Sequence, residues 1–282
     1  MIRRFSLREV GLLVTAFFVL SACAEAPAPS DDRRRARAVI DSARAAAGAA
    51  RLDSTVVSFG FRKERFQLRH PGPDGTGFSY RRSFRDSLGR RVRDVLTDDS
   101  LRRRVEGRSA RLDSATRRQA LTTLNSVAYF ALLPEPLGDA AVRPRYAGAD
   151  TIDGVPYHRV AVRFRQEGGG RDWQDRFLYW FDQRDFSMDY LAYAYGLGPG
   201  EEYGTRFREA FNTRRRGGIR FADYRNYTTD STRVDSLPPG RLARYGRLFG
   251  TDALRRVSTV ALDSVRVRKS SRVPTAADGD AP

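Results

Sequence analysis

The chain has 282 residues, with 51 Lys and Arg against 34 Asp and Glu, and its formal net charge is +17. Its single cysteine, Cys23, excludes an intramolecular disulfide, so the fold depends on an apolar core. Hydrophobic residues make up 40% of the chain, and this length is enough for one substantial domain or two small ones.

The first thirty residues carry the parts of a bacterial export signal. A head with three arginines precedes the apolar run VGLLVTAFFVL at residues 10–20, which is shorter than the ~20 residues that span a bilayer. Small residues then lead to the cysteine. This pattern predicts a signal peptide over residues 1–22.

The sequence LSAC at residues 20–23 resembles the lipobox of bacterial lipoproteins. The resemblance implies a diacylglyceryl thioether on Cys23, cleavage just before it and acylation of the new N-terminus. Two or three acyl chains hold a protein durably on a membrane. We therefore predict a lipid anchor at Cys23 and a Pro/Ala-rich tether over residues 23–30. An ordinary buried thiol is the alternative for this cysteine.

The lipid anchor predicts a place in the bacterial envelope. Ala24, which follows the anchor, resembles the outer-membrane sorting pattern because it is not Asp. Loss of residues 1–22, which contain three arginines and one glutamate, lowers the net charge from +17 to +15. A basic chain favours nucleic acid, but export excludes that partner and leaves lipid phosphates, lipopolysaccharide and acidic glycans. An arginine-rich genome is the alternative account of the charge.

Apolar residues at helical spacing predict helices over residues 31–48 and 114–132, the second ended by Pro134 and Pro136. A short helix is expected to end near Phe249. Apolar runs between turn clusters predict about ten strands. These strands cover residues 55–69, 78–85, 90–96, 101–106, 155–165, 176–182, 188–195, 205–213, 219–228 and 257–267.

These elements predict an α+β fold. We expect one long curved antiparallel sheet, or an open half-barrel, whose concave face is covered by the two longer helices. Residues 31–268 are predicted to form a single α+β domain, and residues 269–282 a disordered C-terminal tail.

The stretch RFLYWFDQRDFSMDYLAYAY, at residues 176–195, carries apolar side chains on both faces of two strands. Strands of this kind need cover on both faces. One face can pack on a helix, and the other is expected to line an apolar cavity or to form a two-sided core. The candidate cavity residues are Phe177, Tyr179, Phe181, Tyr193 and Tyr195.

The next hairpin, at residues 205–227, carries a candidate polar cluster. If Phe207 and Phe211 stack on the apolar residues of the following strand, the polar side chains face the other way. Two arginines beside a tyrosine and amides suit a phosphate or a carboxylate, and a satisfied structural network is the alternative. The cluster consists of Arg206, Arg208, Asn212, Tyr224 and Asn226.

Recognised catalytic patterns are missing from the sequence. It contains no HExxH, Cys–His or GxSxG arrangement, and its histidines are His70 and His158. The glycines at 168–170 predict a hairpin turn, because no Lys-Ser/Thr of a phosphate loop follows them. The aspartates between 172 and 189 lack the spacing of an EF-hand. We therefore predict no enzyme activity, no cofactor and no metal.

Four stretches together resemble an uncharacterised family of bacterial lipoproteins, a domain of unknown function found mainly in Bacteroidota. They are LNSVAYFALLP (124–134), DRFLYWFD (175–182), DYLAYAY (189–195) and YGTRFREAFNTRRRGGIRFADYRNY (203–227). The resemblance covers most of residues 31–228 and implies no established activity. The order helix, strands, helix, strands also resembles the LolA and LolB lipoprotein carriers, which implies a curved open barrel around an acyl-binding cavity.

Two functions are compatible with these features. The first is a lipid-anchored envelope protein that binds an acyl chain or another apolar ligand in a cavity between sheet and helix. The alternative is a non-enzymatic scaffold that docks through a basic surface on anionic lipids, glycans or a protein partner. In either case we expect a monomer whose partners are a membrane and a lipid or lipopolysaccharide, and not nucleic acid.

Overall fold

The computed structural model describes residues 30–53, 55–70, 77–98, 100–170, 172–229 and 237–270. The predicted signal peptide, Cys23 and the tether up to residue 29 lie outside these residues, as does the predicted tail from residue 271 onward. Among the residues described, no helix has both the length and the apolar character needed to cross a membrane.

The described residues form fourteen strands. They are β1 (Thr55–Phe61), β2 (Glu64–Arg69), β3 (Ser79–Arg85), β4 (Arg91–Thr97), β5 (Leu101–Val105), β6 (Arg108–Ala110), β7 (Val142–Ile152), β8 (Val155–Phe164), β9 (Arg176–Asp182), β10 (Met188–Tyr195), β11 (Gly204–Arg216), β12 (Ile219–Thr229), β13 (Leu254–Val260) and β14 (Asp263–Lys269). Lys269, the first residue of the predicted tail, therefore lies in a strand.

The strands form two antiparallel sheets of seven strands each, which corrects the expectation of a single sheet of about ten strands. The first sheet has the order β14–β1–β2–β3–β4–β5–β6, and the second has the order β13–β12–β11–β10–β9–β8–β7. The chain leaves the first sheet after β6 and forms the second sheet strand by strand, from β7 at one edge to β13 at the other. It then returns to the first sheet, where β14 pairs with β1.

Two of the predicted strands are each divided between two strands, which accounts for part of the difference in strand number. Residues 55–69 bend at Arg62 and Lys63, both with positive φ (49° and 66°), as a tight two-residue hairpin turn requires. Residues 257–267 divide between β13 and β14. In addition, β6 and β7 were not predicted.

Three helices accompany the sheets: α1 (Asp31–Ala47), α2 (Ser114–Ala131) and α3 (Arg244–Phe249). Gly48 ends α1 in the left-handed conformation (φ 77°), and a Cβ there would collide with the Gly218 carbonyl. Asp113 caps α2, because its carboxylate accepts a hydrogen bond from the Thr116 amide at 2.8 Å. The two longer helices agree with the predicted ranges.

The helices cover the sheets differently from the predicted arrangement. The apolar side of α1, including Val39 and Ile40, packs on the second sheet alone. The opposite face of that sheet packs against Tyr245 of α3. α2 lies between the two sheets: its Leu124 packs into the core of the first sheet, and its Tyr129 packs against the second.

Candidate functional site

The predicted cavity aromatics lie in the packed core of the second sheet. Phe177, Tyr179 and Phe181 alternate along β9 and pack against α1, while Leu178 and Trp180 pack on the other face of the sheet. The Tyr179 hydroxyl lies 2.6 Å from the Tyr129 hydroxyl of α2.

The two predicted tyrosines of β10 lie beside this core. The ring of Tyr193 stacks on Phe177, with centroids 5.7 Å apart, and contacts Phe130 of α2 at the same centroid distance. Tyr195 lies next along the strand, with its ring beneath the Arg206 guanidinium. None of the five predicted aromatics lines the cavity described next.

We call the face of the second sheet that packs against α1 and α2 its inner face. A cavity of about 320 Å³ lies between this inner face, α2 and the β1–β2 hairpin. We call it the α2 cavity. Its walls combine seven apolar side chains with seven that carry polar groups, and most of the lining surface is apolar, as is usual for a small-molecule site. The α2 cavity is lined by Phe61, Arg62, Thr122, Thr123, Ser126, Val127, Phe130, Ala131, Arg208, Ala222, Tyr224, Asn226, Val260 and Leu262.

The position of α2 between two sheets creates this space. Leu124 and Ala128 are buried against the first sheet, so the neighbouring positions Thr123, Val127 and Phe130 turn toward the cavity. Those cavity-facing side chains are only partly buried. The helix therefore packs tightly on one side and leaves a gap toward β11, β12 and β13.

The register of β11 and β12 places three polar residues in the α2 cavity. Arg208 lies directly opposite Asn226, and Ala210 lies opposite Tyr224. Because side chains alternate between the faces of a strand, Arg208, Tyr224 and Asn226 all project from the inner face. These three members of the predicted polar cluster are brought together.

Arg208 is a buried cation that has no carboxylate partner among the described residues. Its side chain lies against the Phe130 ring, with the guanidinium carbon 3.9 Å from the ring centroid. One terminal nitrogen donates a hydrogen bond to the Tyr193 hydroxyl at 3.0 Å. Only 8% of the residue is exposed, and its Nε atom has no hydrogen-bond partner.

Asn226 has a similar unsatisfied group. Its Nδ2 donates a hydrogen bond to Ser258 Oγ at 2.8 Å, while its buried Oδ1 has no partner. Burial raises the pKa of the neighbouring Tyr224 to about 12, so that hydroxyl stays protonated at neutral pH. Buried polar atoms are normally hydrogen-bonded, so unsatisfied ones on a cavity wall call for a ligand or ordered water.

The other two members of the predicted cluster lie elsewhere. Arg206 extends over Tyr195 and donates a hydrogen bond to the Thr205 carbonyl. Asn212 has positive φ (47°) at a bulge in β11 and donates a hydrogen bond to Asp223 at 2.7 Å. Phe207 lies opposite Tyr227 and Phe221 lies opposite Arg214, so these two rings are far apart along the hairpin and enter different cores instead of stacking.

A second feature is the outer face of the first sheet, which is dense in arginine. Direct cross-strand neighbours share a face, and here Arg93 pairs with Arg104, and Arg85 with Arg91. Like charges at such positions destabilise a sheet. We call this surface the arginine face, and its arginines are Arg65, Arg69, Arg81, Arg85, Arg91, Arg93, Arg102, Arg104, Arg266 and Arg268.

Residues 54–246 match a family described as "Family of unknown function (DUF6503)". The chain belongs to this family. The membership confirms the resemblance to an uncharacterised family that the sequence indicated. The matched region of the DUF6503 chain contains α2, β11 and β12, and thus Arg208, Tyr224 and Asn226. A search of curated proteins found no match to the chain.

The DUF6503 chain is similar to several solved structures. One is a DUF1329 family protein from Desulfovibrio piger, at 11% identity and a TM-score of 0.42, with 82% of this chain and 92% of that chain covered. Another is a LolA superfamily protein from Nitrosomonas europaea, at 11% identity and a TM-score of 0.44, with 83% of this chain and 93% of that chain covered.

Proposed function

We propose that this protein is a lipid-anchored, non-enzymatic envelope protein that binds an acyl chain or another apolar ligand in the α2 cavity. The cavity itself is the observation that supports this function. Its volume of about 320 Å³ lies in the range of ligand sites, ~300–1,000 Å³. Val127, Phe130 and Val260 supply apolar walls on both sides.

The anchor at Cys23 remains part of the proposal, on the sequence pattern alone. An anchored domain at a membrane surface has access to acyl chains, which supports a ligand of that class. Mass spectrometry of the intact protein from its native host tests for the anchor. Added acyl mass on the mature N-terminus supports it, and a free Cys23 thiol contradicts it.

A cavity-filling variant tests the binding site. Ser126→Trp places an indole in the α2 cavity from a partly exposed helix position. The probes are 1-hexadecanol and palmitate, titrated into the mature chain (residues 23–282 with Cys23→Ser) and followed by calorimetry and native mass spectrometry. We expect both probes to bind the parent chain and to lose at least about tenfold in affinity in the variant, because the indole occupies the space of the chain.

Asn125→Trp is the matched control. Asn125 precedes Ser126 on α2, is exposed and does not line the cavity. The Asn125→Trp variant should bind both probes with the same affinity as the parent chain. Equal binding by Ser126→Trp and Asn125→Trp would place any ligand outside the α2 cavity and reject the proposal.

The arginine face supports a second candidate function, which is docking on an anionic lipid surface. Arg81 illustrates the crowding: desolvation by the surrounding side chains, and then the neighbouring charges of Arg93 and Arg69, lower the pKa of its guanidinium. Lipid phosphates in a membrane plane supply many anions at once and suit an extended array of guanidinium groups.

A further inference from the structure

We propose that Arg208 and Asn226 bind the carboxylate head of a long-chain fatty acid whose alkyl chain lies in the α2 cavity. This inference rests on the proposed function and names its ligand class. It depends on two buried polar side chains that line the same cavity and each retain an atom without a hydrogen-bond partner.

Arg208 needs a counterion that the described residues do not supply. A guanidinium cannot lose its proton in a protein, and a buried charge is costly unless it is paired. The Phe130 ring and the Tyr193 hydroxyl stabilise this charge. Neither is an anion, so the stabilisation is incomplete. An anionic ligand would complete the site.

The acidic residues of the same two strands are already engaged on the opposite face. Glu209 accepts hydrogen bonds from Arg225 at 2.9 Å and from Tyr227 at 2.8 Å. Asp223 accepts a hydrogen bond from Arg214 at 3.0 Å and one from the Leu262 amide at 2.9 Å. Neither carboxylate can turn to Arg208 without breaking these contacts.

The donors available fit a carboxylate. Arg208 offers its free Nε–H, and the Asn226 amide can turn its nitrogen inward because the Ser258 hydroxyl that it contacts can either donate or accept a hydrogen bond. Arg208 and Asn226 lie directly opposite each other in the strand register, so together they can donate hydrogen bonds to the two oxygens of one carboxylate. A phosphate carries more charge and an additional oxygen, and only one of the two cations that line the cavity is buried, since Arg62 is exposed to solvent.

Three probes with the same alkyl chain test the head group: palmitate, 1-hexadecanol and monohexadecyl phosphate. We expect the mature chain to bind palmitate about tenfold or more tightly than hexadecanol, as a charge-assisted pair of hydrogen bonds implies. Monohexadecyl phosphate should bind no more tightly than palmitate.

Arg208→Met removes the charge while keeping an unbranched side chain. We expect its affinity for palmitate to fall to that for hexadecanol, with hexadecanol binding unchanged. Its melting temperature without ligand should not fall, because the substitution removes an unpaired buried charge. Arg208→Lys, which keeps the charge without the planar donor array, should retain part of the preference for palmitate.

Arg206→Met is the matched control, because Arg206 lies two residues away on the same strand face but outside the cavity. It should leave the preference for palmitate intact. Equal binding of palmitate and hexadecanol to the parent chain, or a preference for palmitate over hexadecanol that survives in Arg208→Met, would overturn the carboxylate assignment and leave the apolar site in place. If neither probe binds the parent chain, the proposed function itself fails.

Discussion

The surroundings of an individual residue decide its role in this protein, as the two arginines of β11 show. Arg206 and Arg208 lie two residues apart in β11 and project from the same face of the sheet. Arg206 hydrogen-bonds to a backbone carbonyl beside Tyr195, whereas Arg208 is buried on a cavity wall with an unsatisfied nitrogen. The difference arises because α2 covers one of the two positions and not the other.

Glu135 shows how burial changes a single carboxyl group. It follows α2, and its side chain is 17% exposed, 3.8 Å from Arg44 and 3.9 Å from His70. Burial raises its pKa to about 7, with Asp139 adding to the shift and Arg44 opposing it. Burial also lowers the pKa of His70, so the two side chains do not form an ion pair at neutral pH.

This pKa predicts a pH dependence of stability. Because the pKa of Glu135 is higher in the folded chain than in the unfolded chain, its contribution is complete below pH 4.5 and is lost as the pH rises through about 7. Stability should therefore fall between pH 5 and pH 8 by up to ~3 kcal/mol from this group. Glu135→Gln should flatten that slope, as measured by urea unfolding at several pH values.

Asp175 provides the comparison, since burial also raises its pKa to about 7. Asp175→Asn should flatten the slope by a separate amount, so a double variant should show the sum of the two effects. A Glu135→Gln protein whose pH profile matched that of the parent chain would contradict the assignment to Glu135.

At the scale of secondary structure, the first sheet contains a charged network on its covered face. Asp94 of β4 is fully buried and accepts two hydrogen bonds from Arg103 of β5, at 2.6 and 2.8 Å. Arg82 of β3 lies 3.8 Å from the same carboxylate and also pairs with Glu64 of β2. The network thus joins four neighbouring strands on the face that packs toward α2.

Asp94→Ala should destabilise the protein by ~3–5 kcal/mol, because it leaves the largely buried Arg103 guanidinium without its carboxylate and removes one of the two carboxylates beside Arg82. Urea unfolding measures the loss. The double variant Asp94→Leu/Arg103→Met should recover part of it, since it replaces a buried ion pair by apolar side chains. Glu106→Ala breaks the exposed pair with Arg91 in the same sheet and should change stability little. Equal losses in the two single variants would contradict this view.

At the scale of the whole molecule, the two sheets perform separate tasks. The second sheet is covered on both faces and forms one wall of the α2 cavity. The first sheet is covered on one face only, and its other face exposes most of its arginines to solvent. α2 separates the two, so a ligand in the cavity and a membrane against the arginine face do not compete for the same surface.

The docking candidate predicts salt-dependent binding to vesicles that contain phosphatidylglycerol. The Debye length falls from ~30 Å at 0.01 M salt to ~8 Å at 0.15 M, so affinity should fall steeply over that range. Each arginine near an anionic membrane surface contributes ~1 kcal/mol to binding. The triple variant Arg81→Gln/Arg93→Gln/Arg104→Gln should therefore bind the vesicles at least about tenfold more weakly at low salt. Cosedimentation measures the bound fraction.

A second triple variant controls for net charge. Arg241→Gln/Arg247→Gln/Arg255→Gln removes the same charge from exposed positions outside the arginine face. It should bind close to the parent level. Equal losses in both variants, or binding that does not change with salt, would contradict docking through the arginine face.

Local features of the sequence are enough to specify the individual helices and most of the strands. The spacing of apolar residues in α1 and α2, and their terminal Gly48 and Asp113, specify both helices, since capping and periodicity act within a few residues. The two-sided pattern of β9 likewise specifies burial on both faces. The Asp153-Gly154 pair, a strong turn signal with positive φ at both residues, could have revealed β7 as the partner of β8.

The number of sheets and the position of the site depend on contacts that form only in the folded chain. The alternation of apolar and polar residues predicts strands, but it does not show which strands pair. The same sequence pattern is therefore expected for one sheet and for two. The bulge in β11 separated Asn212 from the cluster, and the packing of α2 left a cavity beside Arg208 and not beside Tyr179. Cavities form where packed elements fail to fill space, and that depends on contacts between residues far apart in the chain.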